Sequence, residues 1–333
     1  MPLLSHRRTA GALAENGQVM LADRLRRART DQDRSVWELG VQKRGIQERG
    51  VPASSPSVRS GLFEICANPG CGSGWLHFLR SRSAPVFEQG WSCSPECTRA
   101  LVASAVRREL DGRAGTQQSH RHRIPLGLVM LEQGWISAGQ LRQALDAQKV
   151  GGGGRLGHWL VRHLGVSEEL VTRALGLQWS CPVLPVEYHD AEALTALVPR
   201  LFVDAFGAMP LRVAAGKLLY LGFEDRLDPV LALAVERING LRVESGVVQG
   251  THFRLAHTRA LNASYPSAEL IEASSELAAA QALAKAVERA RAVESRLARV
   301  HDCLWLRMWR RAQRGPLPPL DTVQDLICSI GGH

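Results

Sequence analysis

The stretches PLGLVMLEQGWISAGQLRQALDAQ (Pro125–Gln148) and RLGHWLVRHLGVSEELVTRALGLQ (Arg155–Gln178) state one pattern twice. Aligned without a gap, they share Leu-Gly at the second and third positions, and both end in Gln. Apolar residues recur at the sixth position (Met130, Leu160), the twelfth (Ile136, Val166), the seventeenth (Leu141, Val171) and the twenty-first (Leu145, Leu175). Ser137 and Ser167 follow the twelfth position. Two copies are too few for a solenoid and predict a paired unit.

Each copy reads as short helix, turn, second helix. Leu156, Leu160 and Leu164 fall at i, i+4 and i+8, one stripe of a helix. Gly165 stands where a helix ends on a residue at positive φ. Ser167 is placed to cap the next helix, with Glu168 and Glu169 in its first turn. Leu170, Ala174 and Leu177 are that helix's expected buried face. The first copy repeats the plan with Gly134, Ser137 and the Leu141/Leu145 stripe. Gly151–Gly154, between the copies, is expected to be a flexible connector.

The paired pattern R-L-G-x-x-L, an apolar residue, then L-x-x-x-L-x-x-Q resembles the N-terminal, MshE-type domain of type II secretion and type IV pilus assembly ATPases. The resemblance covers roughly residues 120–262. Many domains of that family bind cyclic di-GMP through the paired motif. The resemblance therefore implies a nucleotide site drawn from Arg155, Leu156, Gly157, Leu160 and Gln178 in the second copy and Leu126, Gly127 and Gln148 in the first. Pro125 stands where the family has its leading Arg, and Arg123, two residues earlier, is the candidate substitute. The Lys149–Gly154 spacer is slightly long for the family.

The chemistry of that implied site is direct. A guanidinium stacks on a guanine face and donates two hydrogen bonds to guanine O6 and N7. A Leu-Gly step lets backbone approach a flat, dianionic ligand closely, and free N–H groups at a helix start favour phosphate. The same Leu, Gly and Gln spacings also serve ordinary helix-pair packing, with Arg155 a solvated charge.

Upstream, residues 61–112 carry the strongest local chemistry. Cys66-x4-Cys71 is followed by Cys93-x3-Cys97, the arithmetic of a four-cysteine zinc site. Asn68, Pro69 and Gly70 suit a tight knuckle. Ser94 and Pro95 open a helix that continues through TRALVASAVRREL, and a helix N-terminus stabilises thiolates. Trp75, Phe78, Val86, Phe87 and Trp91 supply a small core and strands. Knuckle, strands and ligand-bearing helix resemble a treble-clef finger, although both Cys spacings depart from the commonest form. Two disulfides are the alternative, which a cytoplasmic location disfavours. A full set of cysteine ligands leaves no open position, so the zinc is expected to be structural rather than catalytic. Cys181, Cys303 and Cys328 sit in apolar contexts and read as buried free thiols.

The chain has 333 residues, enough for two or three small domains, and a net charge of +9. Residues 1–60 hold eleven Lys/Arg against six Asp/Glu and read as a largely disordered basic segment. No window of eighteen apolar residues spans a membrane, and Met1–Arg8 has no apolar run behind its charges, so neither a membrane span nor a secretory signal is expected. Cytoplasm follows by default. Residues 113–123 form a polar linker. Downstream of the repeats, CPVLPV (181–186) reads as a short strand and 190–206 as one or two short helices. LRVAA and LLYLGF alternate about a Gly-Lys turn, a hairpin. Asp228-Pro229 starts a helix that runs to Asn239 and stops at Gly240, and LRVESGVV is the next strand. Glu224, Asp225 and Asp228 read as turn and helix-start residues rather than metal ligands. This β-β-α-β unit is similar to the second half of the same secretion-ATPase domain.

Residues 267–313, rich in Ala, Glu, Leu and Arg, read as one long helix with Trp305 and Trp309 docking at its end. Residues 314–333 read as an extended turn and a small terminal helix. The expected fold class is α+β and multi-domain: a small zinc finger (61–112), paired helical repeats (124–186) followed by a small β-β-α-β unit (187–262), and a long C-terminal helix.

No P-loop, nucleophile elbow, metalloprotease motif or dinucleotide fingerprint is present in this sequence, so no enzyme is expected. The leading expectation is a non-catalytic regulatory adaptor that senses cyclic di-GMP and acts on protein partners of a secretion, pilus or motility system. The ligand would bridge the two repeat units, and the finger or long helix would change what it presents. A ligand-free protein-interaction scaffold is the alternative. A zinc-finger nucleic-acid binder using Arg80, Arg82, Arg99, Arg107 and Arg108 ranks last, because no aromatic ladder or base-reading motif accompanies them.

Overall fold

Leu21, Ala22 and Leu25 share the inner face of a helix over residues 19–27 (α1), and all three are buried. Arg24 of α1 pairs with Glu272 at 2.9 Å. This part of the expected disordered segment is therefore folded. The computed structural model describes residues 19–27, 66–72, 85–88, 90–111, 123–186, 191–312 and 315–330. The rest of 1–60 and most of the 113–123 linker lie outside them, as do Trp75 and Phe78.

The finger segment is not a free-standing module. Val86–Phe87 (β1) and Gly90–Trp91 (β2) form a hairpin, and Pro95–Asp111 (α2) follows. Ser94 caps α2 as expected, its Oγ accepting from the Cys97 N–H at 3.3 Å. Beyond its first turn, α2 buries Val102, Ala105 and Val106 in one core with residues from the far end of the chain.

That far end is a sheet, and here the long-helix expectation is overturned. Leu126–Glu132 (α3), Ala138–Val150 (α4), Leu156–Leu164 (α5) and Glu168–Trp179 (α6) build the repeats. Ala191–Leu194 (α7), Arg200–Phe206 (α8), Ala208–Ala214 (β3), Leu218–Phe223 (β4), Pro229–Asn239 (α9), Arg242–Val247 (β5) and Gly250–Leu261 (α10) come next. The chain then runs Ser267–Ala273 (β6), Glu276–Ala290 (α11), Glu294–Val300 (β7), Cys303–Trp309 (β8) and Val323–Ile330 (β9). Only the middle of 267–313 is helical. Ser275 starts α11 by accepting from the Ala278 N–H, and Arg291, in the left-handed region, ends it. CLWLRMW then buries every residue, a pattern a strand covered on both faces demands. The expected terminal helix is likewise β9, whose VQDLICSI is buried on both faces.

The chain divides into two compact units. The first comprises residues 1–117, 266–314 and 318–333, and the second 118–265 and 315–317. In the first, the strand order is β6-β9-β8-β7, with β6 parallel to β9 and the others antiparallel. α11 and α2 cover one face through Leu283, Ala284 and Val287 against Leu304, Leu306 and Leu326. β1 lies beside β7, its Val86 N–H donating to Ala292 O at 3.0 Å and its Val86 O accepting from Ser295 Oγ at 2.8 Å. On the other face Arg307 and Asp325 are fully buried and paired twice at 2.8 Å, and Trp305 Nε1 also donates to Asp325.

In the second unit, β3-β4-β5 form a three-stranded sheet with an antiparallel hairpin and a parallel β4–β5 pair crossed by α9. The hairpin, the Asp228 cap on the Leu231 N–H (2.9 Å) and the Gly240 stop agree with the sequence reading. CPVLPV makes only a bridge, Val183 to Val247. Pro182 and Pro185 have no N–H to extend a ladder. The sequence reading also missed α10, whose Phe253, Ala256 and Ala260 pack on Met209, Leu211 and Val248.

Candidate functional site

The two repeats are helix pairs as expected, but they exchange partners. α3 packs on α6 and α4 on α5, so each first helix rests on the other copy's second helix. The Leu-Gly steps interlock. A Cβ at Gly127 would meet Leu141 Cδ1 at 2.6 Å and Leu156 Cδ2 at 3.1 Å. A Cβ at Gly157 would meet Val171 Cγ1 at 2.7 Å and Leu126 Cδ2 at 3.5 Å. Leu126 thus reaches over Gly157 and Leu156 over Gly127. Side chains already fill the room these glycines leave, so their first physical role is helix packing. Leu160 is fully buried with Met130, Ala144 and Ala174 in the shared core. Leu145 and Leu177 are exposed instead of buried, because the exchanged pairing covers Ala144, Val171 and Ala174.

The closing glutamines repeat the exchange. Gln178 Nε2 donates to Ile124 O at 2.8 Å, and Gln148 Nε2 donates to Gly154 O. Ile124 and Gly154 each precede the first residue of a copy. Each copy's last residue therefore anchors the other copy's entry. Ser137 forms a full capping box with Gln140, whereas Ser167 stands at its N-cap with no side-chain cap bond. The Gly151–Gly154 connector opens in a turn at residues 151–152. Gly152, Gly153 and Gly154 have positive φ, and Trp159 Nε1 donates to Gly153 O at 2.9 Å. A Cβ at Gly151 would lie 2.0 Å from the Trp159 ring.

Arg155 stands at the N-cap of α5 with its side chain 64% exposed. Its Nε reaches Asp225 Oδ2 at 2.8 Å and Nη1 reaches Glu224 at 3.7 Å. Arg123 lies over the Trp179 ring, 3.4 Å from Cζ to centroid, and Trp179 Nε1 donates to Asp225 O at 2.9 Å. Arg155 thus contacts Asp225 directly, and the candidate substitute Arg123 is linked to it only through Trp179. Glu224 also takes Arg254 at 2.5 Å. Glu168, behind them, accepts from the Thr251 N–H at 2.9 Å and Thr251 Oγ1 at 2.7 Å, capping α10 from another helix. Burial pushes the Glu168 carboxyl up, but the Thr251 and Gln249 bonds and the Arg254 charge outweigh it and hold it below its ordinary value. Trp179, Asp225, Glu224 and Arg254 were not among the sequence-derived site residues. Nothing in linear spacing joins 123 to 179 or 155 to 225.

A second constellation lies in the other unit. Sγ atoms of Cys66, Cys71, Cys93 and Cys97 all fall within 4.8 Å of one another, among the described residues the one such grouping of three or more metal-ligand side chains. Cys71 and Cys93 are 3.4 Å apart and Cys93 and Cys97 3.7 Å. A tetrahedral zinc with bonds of about 2.3 Å sets sulfur–sulfur edges of about 3.8 Å, close to those separations. The Asn68 knuckle shapes the site: its Oδ1 accepts from Gly70 N–H at 3.1 Å, and its Nδ2 donates to Cys97 Sγ at 3.3 Å. Four soft sulfurs with no carboxylate or imidazole suit a closed thiophilic site. Cys303 and Cys328 are buried and free, as expected, and burial pushes them up to about 12 and about 11. Cys181 is only half-buried.

No protein-family model and no curated protein matches the chain. Among solved structures, it is similar to the structure of MshE with cdg, at 28% identity over 41% of this chain and 99% of that one, with a TM-score of 0.33. It is also similar to the N-terminal domain of XpsE, at 21% identity over 40% of this chain and 92% of that one, with a TM-score of 0.30. No helix among the described residues is long and apolar enough to cross a membrane.

Proposed function

We propose that this chain is a non-catalytic regulatory adaptor of a secretion, pilus or motility system, acting in the cytoplasm, and that the junction of its two repeats binds cyclic di-GMP. One observation carries the reading: Arg155 binds the Asp225 carboxylate, and Arg123 stacks on Trp179, whose indole donates to the same residue's carbonyl. In this reading Arg123 supplies the cation that the first copy lacks at Pro125. An exposed guanidinium held in place by a carboxylate is preorganised to grip a guanine edge or a phosphate. Because each copy's glutamine holds the other's entry, a ligand at this junction touches both copies at once and fixes their spacing.

Cys66, Cys71, Cys93 and Cys97 hold a structural zinc in this reading. Bound zinc keeps the thiols deprotonated and braces knuckle, hairpin and α2 together. A protein-interaction scaffold without a small ligand is the second reading. It is favoured by the carboxylates that already engage Arg155. Nucleic-acid binding is not favoured, because Arg99, Arg107 and Arg108 each pair with a glutamate.

Isothermal titration of the full chain with cyclic di-GMP, with Arg155→Ala alongside, decides between these readings. Micromolar or tighter binding that the substitution abolishes supports the receptor; no heat from folded protein supports the scaffold. Metal analysis of the same sample should find one zinc per chain.

A further inference from the structure

Trp179 directly follows the closing Gln178 of the second copy. Its indole is fixed at one end by the Nε1 bond to Asp225 O. Its face carries the Arg123 guanidinium at van der Waals distance. A guanidinium and a purine are both flat, and both stack on indole. Arg123 is exposed and sits at the start of the repeat unit, so it can leave the ring without disturbing a core. The indole is held by a backbone carbonyl and does not have to move with it. Arg155 is bonded to the carboxylate of the same Asp225 whose carbonyl holds the indole.

We propose that Trp179 is a base-stacking residue of the cyclic dinucleotide site, covered by Arg123 until a purine takes the indole face. This rests on the receptor reading above. The displaced Arg123 guanidinium then faces the ligand's phosphates, while Arg155 meets the second base. The equivalent position of the first copy is Lys149, which has no ring. The site is therefore asymmetric, with one purine stacked on indole and the other held by guanidinium alone.

The test is fluorescence anisotropy of labelled cyclic di-GMP with the full chain, Trp179→Leu, Trp179→Phe and Arg155→Ala, each checked for unchanged thermal unfolding. Trp179→Leu should weaken binding about tenfold or more, and Trp179→Phe, which keeps a ring, by no more than about threefold. Wild-type affinity in Trp179→Leu overturns the stacking role while leaving the receptor standing, provided Arg155→Ala still loses binding. Equal losses in the Leu and Phe variants overturn it too, because the Nε1 bond would then be the whole effect. If the wild type binds nothing, the receptor reading fails first and this inference with it. If Trp179→Leu does not fold, ligand quenching of tryptophan emission replaces it: quenching in the wild type that vanishes in Trp179→Phe is the expected result, and equal quenching in both contradicts the proposal.

Discussion

Arg155 and Asp325 show two opposite uses of charge. Arg155 is mostly exposed, and its pair with Asp225 is worth at most about 1 kcal/mol to folding. Asp325 and Arg307 are both fully buried. Asp325→Ala strands a guanidinium in the sheet and should cost about 3–5 kcal/mol, read as a lower denaturation midpoint. Glu168 belongs between them. Its depressed carboxyl contributes stability that is complete above its ordinary value of 4.5 and is lost as pH falls through the lower folded value. Glu168→Gln should therefore destabilise the chain at neutral pH, with the difference closing in acid; urea titrations at pH 7 and pH 3 measure it. Arg155 was legible from its place in the repeat. Its partners Asp225 and Glu224 were not, because those pairs form only on tertiary closure between distant parts of the chain. A lone Glu-Asp step in a turn announces only a turn.

At the scale of elements, the repeats were readable because a 3.6-residue period, a glycine stop and a serine cap agreed in both copies. The exchange of partners was not readable, since the same stripes fit packing within a copy or between copies. Gly157→Ala tests the exchange. Its new Cβ meets the stiff Val171 at 2.7 Å, and overpacking of this kind costs about 1–3 kcal/mol. That outweighs the gain in helix propensity of about 1 kcal/mol, so the midpoint should fall. Residues 267–313 failed for the converse reason. Their Ala, Glu, Leu and Arg content favours helix, and α11 satisfies it over Glu276–Ala290. The flanking strands are set instead by alternation and by two-sided burial, as in CLWLRMW, which composition does not reveal.

At the scale of the molecule, the first unit is discontinuous: residues 118–265 are inserted between α2 and β6. α2 supplies Val102, Ala105 and Val106 to the core of a sheet whose strands begin at Ser267. A chain starting at residue 113 should therefore keep the repeat unit folded and lose the sheet, so that one of two calorimetric transitions disappears. Zinc chelation should lower that same transition and spare the other. The measurement closest to the central claim is amide hydrogen exchange of the full chain with and without cyclic di-GMP. The account predicts slowed exchange in 123–128, 154–158 and 178–180, together with 224–226, and no such change in Arg155→Ala. Unchanged exchange in those four segments at saturating ligand, or slowing confined to other parts of the chain, would contradict it.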